Sequence, residues 1–423
     1  MLSSVRSERL PHGQSFKLYA GLILHVALLS LGSCRTVKVN SGEKPAVLKT
    51  DSSKAKIIWQ QRKDFMFNGG QVGFSNRFAG ARLNSISQEN DSTFKINILP
   101  ENTPINPSPW YAFKVWGAGK RNVYLTLNYT NVKHRYHPKI SYDRKNWQDI
   151  TGIKLSANEH EATFKISLSM DSVTVAAQEV ISTADSYRWM DSIASSGVVK
   201  KEAVGLSLLS KPINMLHTTG SNGKKLIIIL SRQHPPEVTG YMAMHEFVRT
   251  VTGNSVAAKN FRKNYELVVF PMVNPDGVDE GNWRHSAAGV DLNRDWESFD
   301  QPETRAVKTQ VLKLVKDQQA KVYFALDFHS TYYDIFYVNQ IKDPASSNAP
   351  GLTEKWLSGM QRSLAGFQPN IKPSGNGGNV SKSWFSRELG AEALTYEVGD
   401  TTSRAQLKLK GRIAAEIMMQ LLK

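Results

Sequence analysis

The chain has 423 residues, of which 40% are hydrophobic, and this composition supports large buried cores and excludes an intrinsically disordered protein. Lys and Arg (53) outnumber Asp and Glu (37), and the resulting net charge of +16 is spread along the chain. Because no nucleic-acid-binding motif accompanies this charge, we predict no nucleic-acid partner. We interpret the charge as a surface property, with a preference for acidic substrates or anionic envelope polymers as the alternative. The length predicts two domains.

The N-terminal segment resembles a bacterial lipoprotein signal peptide. Basic residues precede a short apolar run over 18–31, which ends in Leu31-Gly-Ser-Cys34, a sequence that resembles a lipobox and contains the only cysteine. We therefore predict a signal peptide over 1–33, lipidation of Cys34 and a tether over 34–53. The protein is then lipid-anchored in the bacterial cell envelope, at the periplasmic or outer-membrane face. The alternative is an uncleaved anchor with a buried cysteine.

Residues 54–195 are predicted to form an antiparallel β-sandwich domain. Hydrophobic and polar residues alternate in several short segments separated by turn residues, which is the period of a strand with one buried face. Aromatic side chains on these segments are interpreted as core rather than as a ligand-binding surface. The predicted strands cover residues 93–99, 110–116, 123–129, 162–168 and 173–175.

Residues 196–423 are predicted to form an α/β domain with a mixed sheet covered by helices. Fully apolar runs, typical of strands buried on both faces, alternate with longer segments of helical character. The predicted strands cover residues 225–230, 266–270 and 322–328, and the predicted helices cover 238–250, 303–319 and 404–422.

His234-Pro-Pro-Glu237 and His329 have the residue types of a catalytic zinc site. His234 follows one predicted strand and His329 ends another, so we expect their side chains to meet at one edge of the sheet. Two imidazoles and one carboxylate leave the fourth tetrahedral position open, as in catalytic rather than structural zinc sites. We predict one Zn²⁺ per chain, bound by these three residues. Without a metal, His234 and Glu237 would be two polar neighbours on a turn.

Around these residues the sequence resembles the M14 (funnelin) family of zinc carboxypeptidases, most closely its cytosolic-carboxypeptidase-like branch. The resemblance covers the C-terminal half of the chain. Residues 138–147 are also similar to the β-sandwich that precedes the catalytic domain in cytosolic-type carboxypeptidases. Besides the histidine block that ends at His329, the matching blocks are Arg232-Gln-His-Pro-Pro-Glu237, Asn274-Pro-Asp-Gly277, Asn282-Trp-Arg284, Gly289-Val-Asp-Leu-Asn-Arg-Asp-Trp296 and Thr395-Tyr-Glu397.

The resemblance implies roles for five further residues. Glu397 is expected to act as the general base that later protonates the leaving amine, and Arg284 to stabilise the charge that develops on the carbonyl oxygen. Asn293 and Arg294 are expected to bind the terminal carboxylate of the substrate. Asp291 is expected to orient His234. Without the resemblance, Glu397, Arg284 and Asp291 would be interpreted as a salt-bridge partner, a surface arginine and a turn residue.

One feature of the family is missing. The tyrosine that closes over the substrate carboxylate is expected shortly before Glu397, but residues 373–380 contain none. The glycine-rich loop in this stretch is interpreted as a mobile lid or a simple turn. Val380, Lys382 and Arg387 lie in the region that is expected to set specificity, and we predict that Arg387 favours acidic terminal residues.

The sequence therefore predicts a zinc metallocarboxypeptidase that hydrolyses a C-terminal or side-chain-linked amide of peptides by metal-activated water. One alternative is an amidase or carboxypeptidase that acts on the stem peptide of peptidoglycan. The other is a catalytically silent surface protein that binds a peptide or glycan, and the complete ligand set together with Glu397 argues against it. The sequence makes no prediction of the oligomeric state.

Overall fold

The computed structural model describes residues 55–340, 343–374 and 377–423. The predicted signal peptide, the lipidation site Cys34 and the tether lie outside these residues. Within the described ranges, no helix is long and apolar enough to cross a membrane. The two domains described below belong to one compact unit.

The first domain is a β-sandwich, as predicted. One sheet contains, in spatial order, β1 (Asp64–Phe67), β2 (Val72–Ser75), β5 (Ala112–Gly117), β11 (Val173–Ala176), β7 (Lys139–Ser141) and β8 (Gln148–Asp149). The other sheet contains β3 (Ser85–Asn90), β4 (Thr93–Asn97), β6 (Arg121–Asn128), β10 (Glu161–Leu168) and β9 (Lys154–Leu155).

Alternating burial holds the two sheets together. In β10 the side chains of Ala162, Phe164, Ile166 and Leu168 are buried, while the residues between them face outward or are half-buried. The strand pairs are antiparallel except for β4 and β6, which run parallel. This exception arises because β5, which lies between them in sequence, crosses to the other sheet, so that β6 returns in the direction of β4.

The second domain is an α/β domain with a mixed sheet, which confirms the predicted fold class. The strands, in spatial order, are β12 (Val199–Leu206), β13 (Pro212–Thr218), β15 (Glu266–Phe270), β14 (Lys225–Ser231), β16 (Lys321–Thr331), β19 (Glu392–Gly399), β17 (Ile335–Asn339) and β18 (Ile371–Ser374). The helices are α1 (Thr183–Ala194), α2 (Val238–Thr252), α3 (Val256–Asn264), α4 (Pro275–Glu280), α5 (Pro302–Asp317), α6 (Leu352–Ser363), α7 (Ser381–Leu389) and α8 (Arg404–Leu421).

The central strands β15, β14, β16 and β19 run parallel to one another, and this part of the sheet is covered on both faces. On β14, Ile227 and Ile229 join one core with Phe247 of α2, whereas Ile228 joins a second core with Val307 of α5. An apolar residue is therefore needed at every position, which explains the continuous apolar run in the sequence.

Helix α1 packs with the second domain, whereas the predicted division after residue 195 counts it with the first. Ser182 and Asp185 form a capping box at its start, which fixes where the helix begins. Met190 is buried in the core of the second domain, and Tyr241 of α2 donates a hydrogen bond to Ser186. The helix is thus part of the framework that surrounds α2.

The two domains share a buried interface. Val238 and Trp283 of the second domain join the hydrophobic core of the sandwich, and Trp283 Nε1 donates to the carbonyl oxygen of Trp110. Arg135 of the sandwich forms a buried ion pair with Asp400, with 2.8 Å between Nε and Oδ2. Because Asp400 closely follows the predicted base Glu397, this interface reaches the candidate site.

Candidate metal centre and active site

The predicted zinc ligands converge at the ends of two neighbouring parallel strands. β14 ends at Ser231, shortly before His234, and His329 lies near the end of the adjacent strand β16. Between the end of β14 and His234, Arg232 has a left-handed backbone with φ 54°. This conformation is uncommon for a non-glycine residue and turns the chain sharply. Glu237 directly precedes α2. The turn and the start of the helix thus direct both side chains of the H-x-x-E motif toward His329.

The donor atoms of the three residues face one another. His234 Nδ1 lies 2.7 Å from Glu237 Oε1 and 3.2 Å from His329 Nδ1, and His329 Nδ1 lies 2.7 Å from Glu237 Oε2. All three side chains are buried. Burial opposes the ionisation of Glu237, but the two histidines outweigh this and hold its pKa below the ordinary value. Glu237 is therefore an anionic ligand at neutral pH.

A carboxylate orients each histidine from behind. His234 Nε2 lies 2.9 Å from Asp291 Oδ1, and His329 Nε2 lies 2.9 Å from Asp327 Oδ2. Because an ionised carboxylate only accepts hydrogen bonds, it fixes the proton on Nε2 and leaves the Nδ1 lone pair facing the other ligands. Asp291 was predicted for this role. Asp327 was missed, although it lies two residues before His329 on β16, so that both side chains share one face of the strand.

These residues fit a bound metal ion. Two Nδ1 lone pairs and the carboxylate of Glu237 converge on one point. Two histidines and one glutamate are the ligand set of a catalytic zinc that keeps an open coordination position. The centre can therefore hold one Zn²⁺, as the sequence predicted.

Glu397 lies beside the metal ligands on the next strand. β19 is parallel to β16, and the register places Glu397 opposite His329. Its side chain is partly exposed, but desolvation by the surrounding protein and the negative charge of Glu237 raise the pKa of Glu397 to about 7. Oε2 of Glu397 has no hydrogen-bond partner within the described ranges. A carboxyl group in this state can both accept and release a proton near neutral pH.

Arg284 is linked to the metal centre through Asp291. Arg284 Nε donates to Asp291 Oδ2 at 2.7 Å, while the other oxygen of Asp291 faces His234. Burial alone would lower the pKa of Arg284, but the charges of Asp291 and Glu237 raise it, so the guanidinium stays positive. A fixed positive charge beside the metal ligands is suited to stabilise an oxyanion.

Asn293 and Arg294 follow Asp291 in the sequence and lie near His329 and the start of α7. Asn293 is buried, its Oδ1 accepts a hydrogen bond from the backbone of Ser381 at 3.0 Å, and its Nδ2 lies 3.4 Å from His329 Nε2. Arg294 Nη1 donates to the carbonyl oxygen of Asn293 at 2.8 Å. The structure thus brings the predicted carboxylate-binding pair next to the metal ligands and to the start of α7.

A cavity of about 410 Å³ opens beside these residues. Arg284, His285, Asp291 and Arg294 line it from the second domain, and residues 104–107 line it from the sandwich. The sequence analysis did not anticipate a sandwich wall, because these residues carry no motif and meet the site only through the fold. The cavity has the size of a small ligand pocket and combines positive charge with apolar surface.

A tyrosine that the sequence analysis did not single out lies near the base. Tyr337 is on β17, and its partner across the strand pair is Thr395, two residues before Glu397. Burial and the nearby charge of Glu397 raise the pKa of Tyr337, so its hydroxyl stays protonated at neutral pH. Alternation along the strands therefore places this hydroxyl-bearing side chain on the same face as Glu397.

Comparison with known sequences supports both domains. The family model described as Zinc carboxypeptidase matches residues 186–404, and the model described as Cytosolic carboxypeptidase N-terminal domain matches residues 74–178. Cytosolic carboxypeptidase 6 of Mus musculus is 23% identical over 373 residues, which cover 79% of this chain and 69% of the relative. Cytosolic carboxypeptidase 3 of Mus musculus is 25% identical over 301 residues, but the match covers only 30% of that protein.

Solved structures share the fold at low sequence identity. A metallo-carboxypeptidase from Burkholderia cenocepacia superposes with a TM-score of 0.70 at 16% identity, covering 83% of this chain and 98% of the other. A metallo-carboxypeptidase from Pseudomonas aeruginosa, in complex with (2-guanidinoethylmercapto)succinic acid, has a TM-score of 0.66 at 20% identity and covers 83% and 100%. Since the zinc carboxypeptidase model spans just over half of the chain and includes the whole metal centre, the chain belongs to the zinc carboxypeptidase (M14) family of hydrolases.

Proposed function

We propose that the protein is a zinc-dependent carboxypeptidase that removes C-terminal residues with acidic side chains from peptides. When bound, zinc would polarise the scissile carbonyl and make a water nucleophile available near neutral pH. Glu397 accepts a proton from the attacking water and passes it to the leaving amine, and Arg284 stabilises the charge on the carbonyl oxygen. Asn293 and Arg294 bind the terminal carboxylate, which restricts cleavage to the last residue.

Lys382 is the observation that carries the preference for acidic residues. It lies in the first turn of α7, directly after Ser381, whose backbone binds Asn293. The side chain is buried, and Nζ donates to Asn339 Oδ1 at 2.5 Å, but within the described part of the chain it meets no carboxylate. Burial lowers the pKa of Lys382 to about 8. A buried ammonium on the helix that begins beside Asn293 is costly unless an anion pairs with it, and we propose that a substrate carboxylate supplies that anion.

The position of Arg387 does not support the prediction made for it from sequence. Its side chain is 36% exposed and pairs with Glu388 on the same helix, with 2.9 Å between Nε and Oε1. Lys382 and Arg387 are both basic residues of α7, and only their burial separates them. The proposal for substrate preference therefore moves from Arg387 to Lys382.

The test compares peptides that differ only in the last residue, glutamate or leucine. Lys382→Met keeps the apolar stem without the charge, and we expect kcat/KM for the glutamate-ended peptide to fall roughly 10- to 100-fold, with a much smaller change for the leucine-ended peptide. Lys372→Met, at an exposed position on β18, is the matched control. Equal losses on both peptides, or a selective loss in Arg387→Ala, would contradict the assignment to Lys382.

The same assay separates the two alternative functions. Stem peptides of peptidoglycan that end in a carboxylate-bearing residue belong in the substrate panel, because the same ammonium would attract them. Preferential release from these peptides would favour an envelope-peptide substrate. If protein with stoichiometric zinc releases no residue from either class, the silent binding protein becomes the better interpretation.

We also propose that Cys34 is lipidated and anchors the protein in the bacterial cell envelope. The support is the sequence Leu31-Gly-Ser-Cys34 after an apolar run. In a detergent phase-separation experiment, the wild-type protein is then expected to enter the detergent phase, whereas Cys34→Ala is expected to remain in the aqueous phase. Mass spectrometry of the wild-type protein is expected to find a lipid on Cys34. Detergent partitioning that is unchanged in Cys34→Ala would contradict lipid anchoring.

A further inference from the structure

Glu101 of the sandwich domain binds the backbone of the segment that carries Arg284. Its side chain is fully buried, at 0% exposure, in the loop between β4 and β5. Oε2 accepts a hydrogen bond from the backbone N–H of Trp283 at 2.7 Å. Oε1 accepts from the backbone N–H groups of Arg284 at 3.0 Å and His285 at 2.8 Å. One carboxylate thus satisfies three successive N–H groups centred on Arg284.

This segment depends on partners outside itself. Helix α4 ends at Glu280 and is followed by Gly281, which has a left-handed backbone with φ 66°, and residues 282–290 form neither helix nor strand. Buried N–H groups in an irregular segment need hydrogen-bond partners, because leaving them unsatisfied costs about 1–3 kcal/mol each. The carboxylate of Glu101 is the hydrogen-bond partner of these N–H groups, and a charged acceptor makes stronger hydrogen bonds than a neutral one.

Two further residues of the sandwich, Arg82 and Asn102, bind the parts of the same segment that precede and follow Arg284. Arg82, which is also buried, donates from Nε to the carbonyl oxygen of Gly281 and from Nη2 to Asn282 Oδ1 at 2.9 Å. Asn102 Nδ2 donates to the carbonyl oxygen of Gly289, and Asn102 Oδ1 lies 2.6 Å from His285 Nδ1. The sandwich therefore binds the segment before, at and after Arg284.

We infer that Glu101 is a positioning residue, which sets where the guanidinium of Arg284 stands relative to the metal centre. Asp291 fixes Nε of Arg284 from within the second domain, and Glu101 fixes its backbone from the sandwich, so the side chain is held at both ends. Electrostatic stabilisation of a developing charge requires a donor that is already in place, and a displacement of about 1 Å is enough to reduce the rate strongly. The sandwich is thus a working part of the active site.

The test measures kcat, KM and zinc content of the full chain with Glu101→Gln and Glu101→Ala. We expect kcat to fall roughly 10- to 100-fold, with KM changed less than about 3-fold and one zinc per chain retained. Glu280→Gln is the matched control. Glu280 also forms an ion pair across the domain interface, with Arg62 at 3.1 Å, but it is the last residue of α4 and does not bind the backbone around Arg284. The control is expected to keep kcat within about 2-fold of the wild type.

A double-mutant comparison separates positioning from general loosening of the fold. If Glu101 acts through Arg284, the variant with both Glu101→Gln and Arg284→Ala is as slow as Arg284→Ala alone, within about 3-fold. Losses that multiply, or an unchanged kcat in both Glu101 variants, overturn the inference. If Arg284→Ala retains wild-type activity, the role of Arg284 fails and the inference fails with it.

A second variant covers the case in which the Glu101 variants do not fold. Asn102→Ala removes the contacts to His285 and Gly289 while the three N–H groups keep Glu101 as their acceptor. A lower kcat at unchanged KM and zinc content supports positioning by the sandwich. A kcat equal to that of the wild type overturns positioning through the contacts of Asn102 to His285 and Gly289.

Discussion

The metal centre and the substrate-binding rim are built in different ways. All three metal ligands and the two orienting carboxylates come from the second domain, and the pairing of β14 with β16 brings His234 close to His329 and Asp327. The rim instead combines separate parts: the segment around Arg284 held by Glu101, Arg294, and the sandwich residues 104–107, to which the proposed function adds Lys382 of α7. Changes in the metal centre are therefore expected to abolish the reaction, whereas changes in the rim alter its rate and selectivity.

The largest effect is expected from Glu397→Gln. The amide keeps the shape of the side chain but cannot accept the proton, so kcat falls by about 10³-fold or more while zinc remains bound. Glu388→Gln, on the exposed end of α7, is the control. The check is steady-state kinetics together with zinc analysis on the same samples. A loss below about 10-fold would mean that another group acts as the base.

A smaller effect is expected from Asp327→Asn. The amide weakens the hydrogen bond that orients His329, and such outer partners typically contribute 10- to 100-fold to metal affinity. Competition with a chelator measures the zinc Kd, and activity is expected to return when zinc is saturating. Asp291→Asn should not recover in the same way, because Asp291 also binds Arg284. If saturating zinc restored the activity of both variants equally, the link from Asp291 to Arg284 would not contribute to the rate, which would contradict the distinction between the metal centre and the rim.

Arg294→Ala tests the rim alone. If Arg294 binds the terminal carboxylate, the wild type cleaves a free-acid peptide much better than the same peptide with an amidated C-terminus. We expect the variant to lose roughly 10-fold in kcat/KM on the free acid, and to lose much of this discrimination. Zinc content should not change, since Arg294 contacts the carbonyl oxygen of Asn293 rather than a ligand. Undiminished discrimination would place carboxylate binding elsewhere.

The sequence predicted those parts of the molecule that have a local signal. The apolar runs at 225–230 and 322–328 are the central strands β14 and β16, because a strand buried on both faces must be apolar throughout. The two histidine ligands could be found because His234 follows the end of one apolar run and His329 lies near the end of another. The parallel pairing of β4 and β6 could not be foreseen, because alternation reveals a strand but not its neighbour.

Long-range contacts explain the remaining differences. Glu101 and Trp283 are separated by 182 positions in the sequence, and nothing near Glu101 indicates its partner. Lys382 and Arg387 look equivalent in sequence, and burial alone distinguishes them. Asp327 is different, because its spacing of two residues from His329 was a usable signal for a second orienting carboxylate.

The smallest effect is expected at Glu303, a buried carboxyl group outside both regions. Its side chain is fully buried at the start of α5, Oε1 accepts from the backbone of Leu208 at 3.1 Å, and Oε2 has no partner among the described residues. Burial, reinforced by the charges of Asp276 and Asp295, raises its pKa to about 7 from an ordinary value of 4.5. Unlike Glu237, it has no cation beside it in the described part of the chain that would favour ionisation.

A raised pKa means that the folded state favours the protonated form of Glu303. The corresponding stability is fully present below pH 4.5 and is lost as the pH rises through about 7. Glu303→Gln cannot ionise and keeps the oxygen that accepts from Leu208, so the variant should match the wild type near pH 4.5 and exceed it at pH 8.5. The gain in unfolding free energy is at most about 3 kcal/mol. Denaturant unfolding at the two pH values measures it, with Glu297→Gln, at an exposed position, as the control for the loss of one negative charge. A variant less stable than the wild type at pH 8.5 would show that the ionised carboxylate stabilises the fold there, and that a buried carboxylate needs no adjacent cation in this protein.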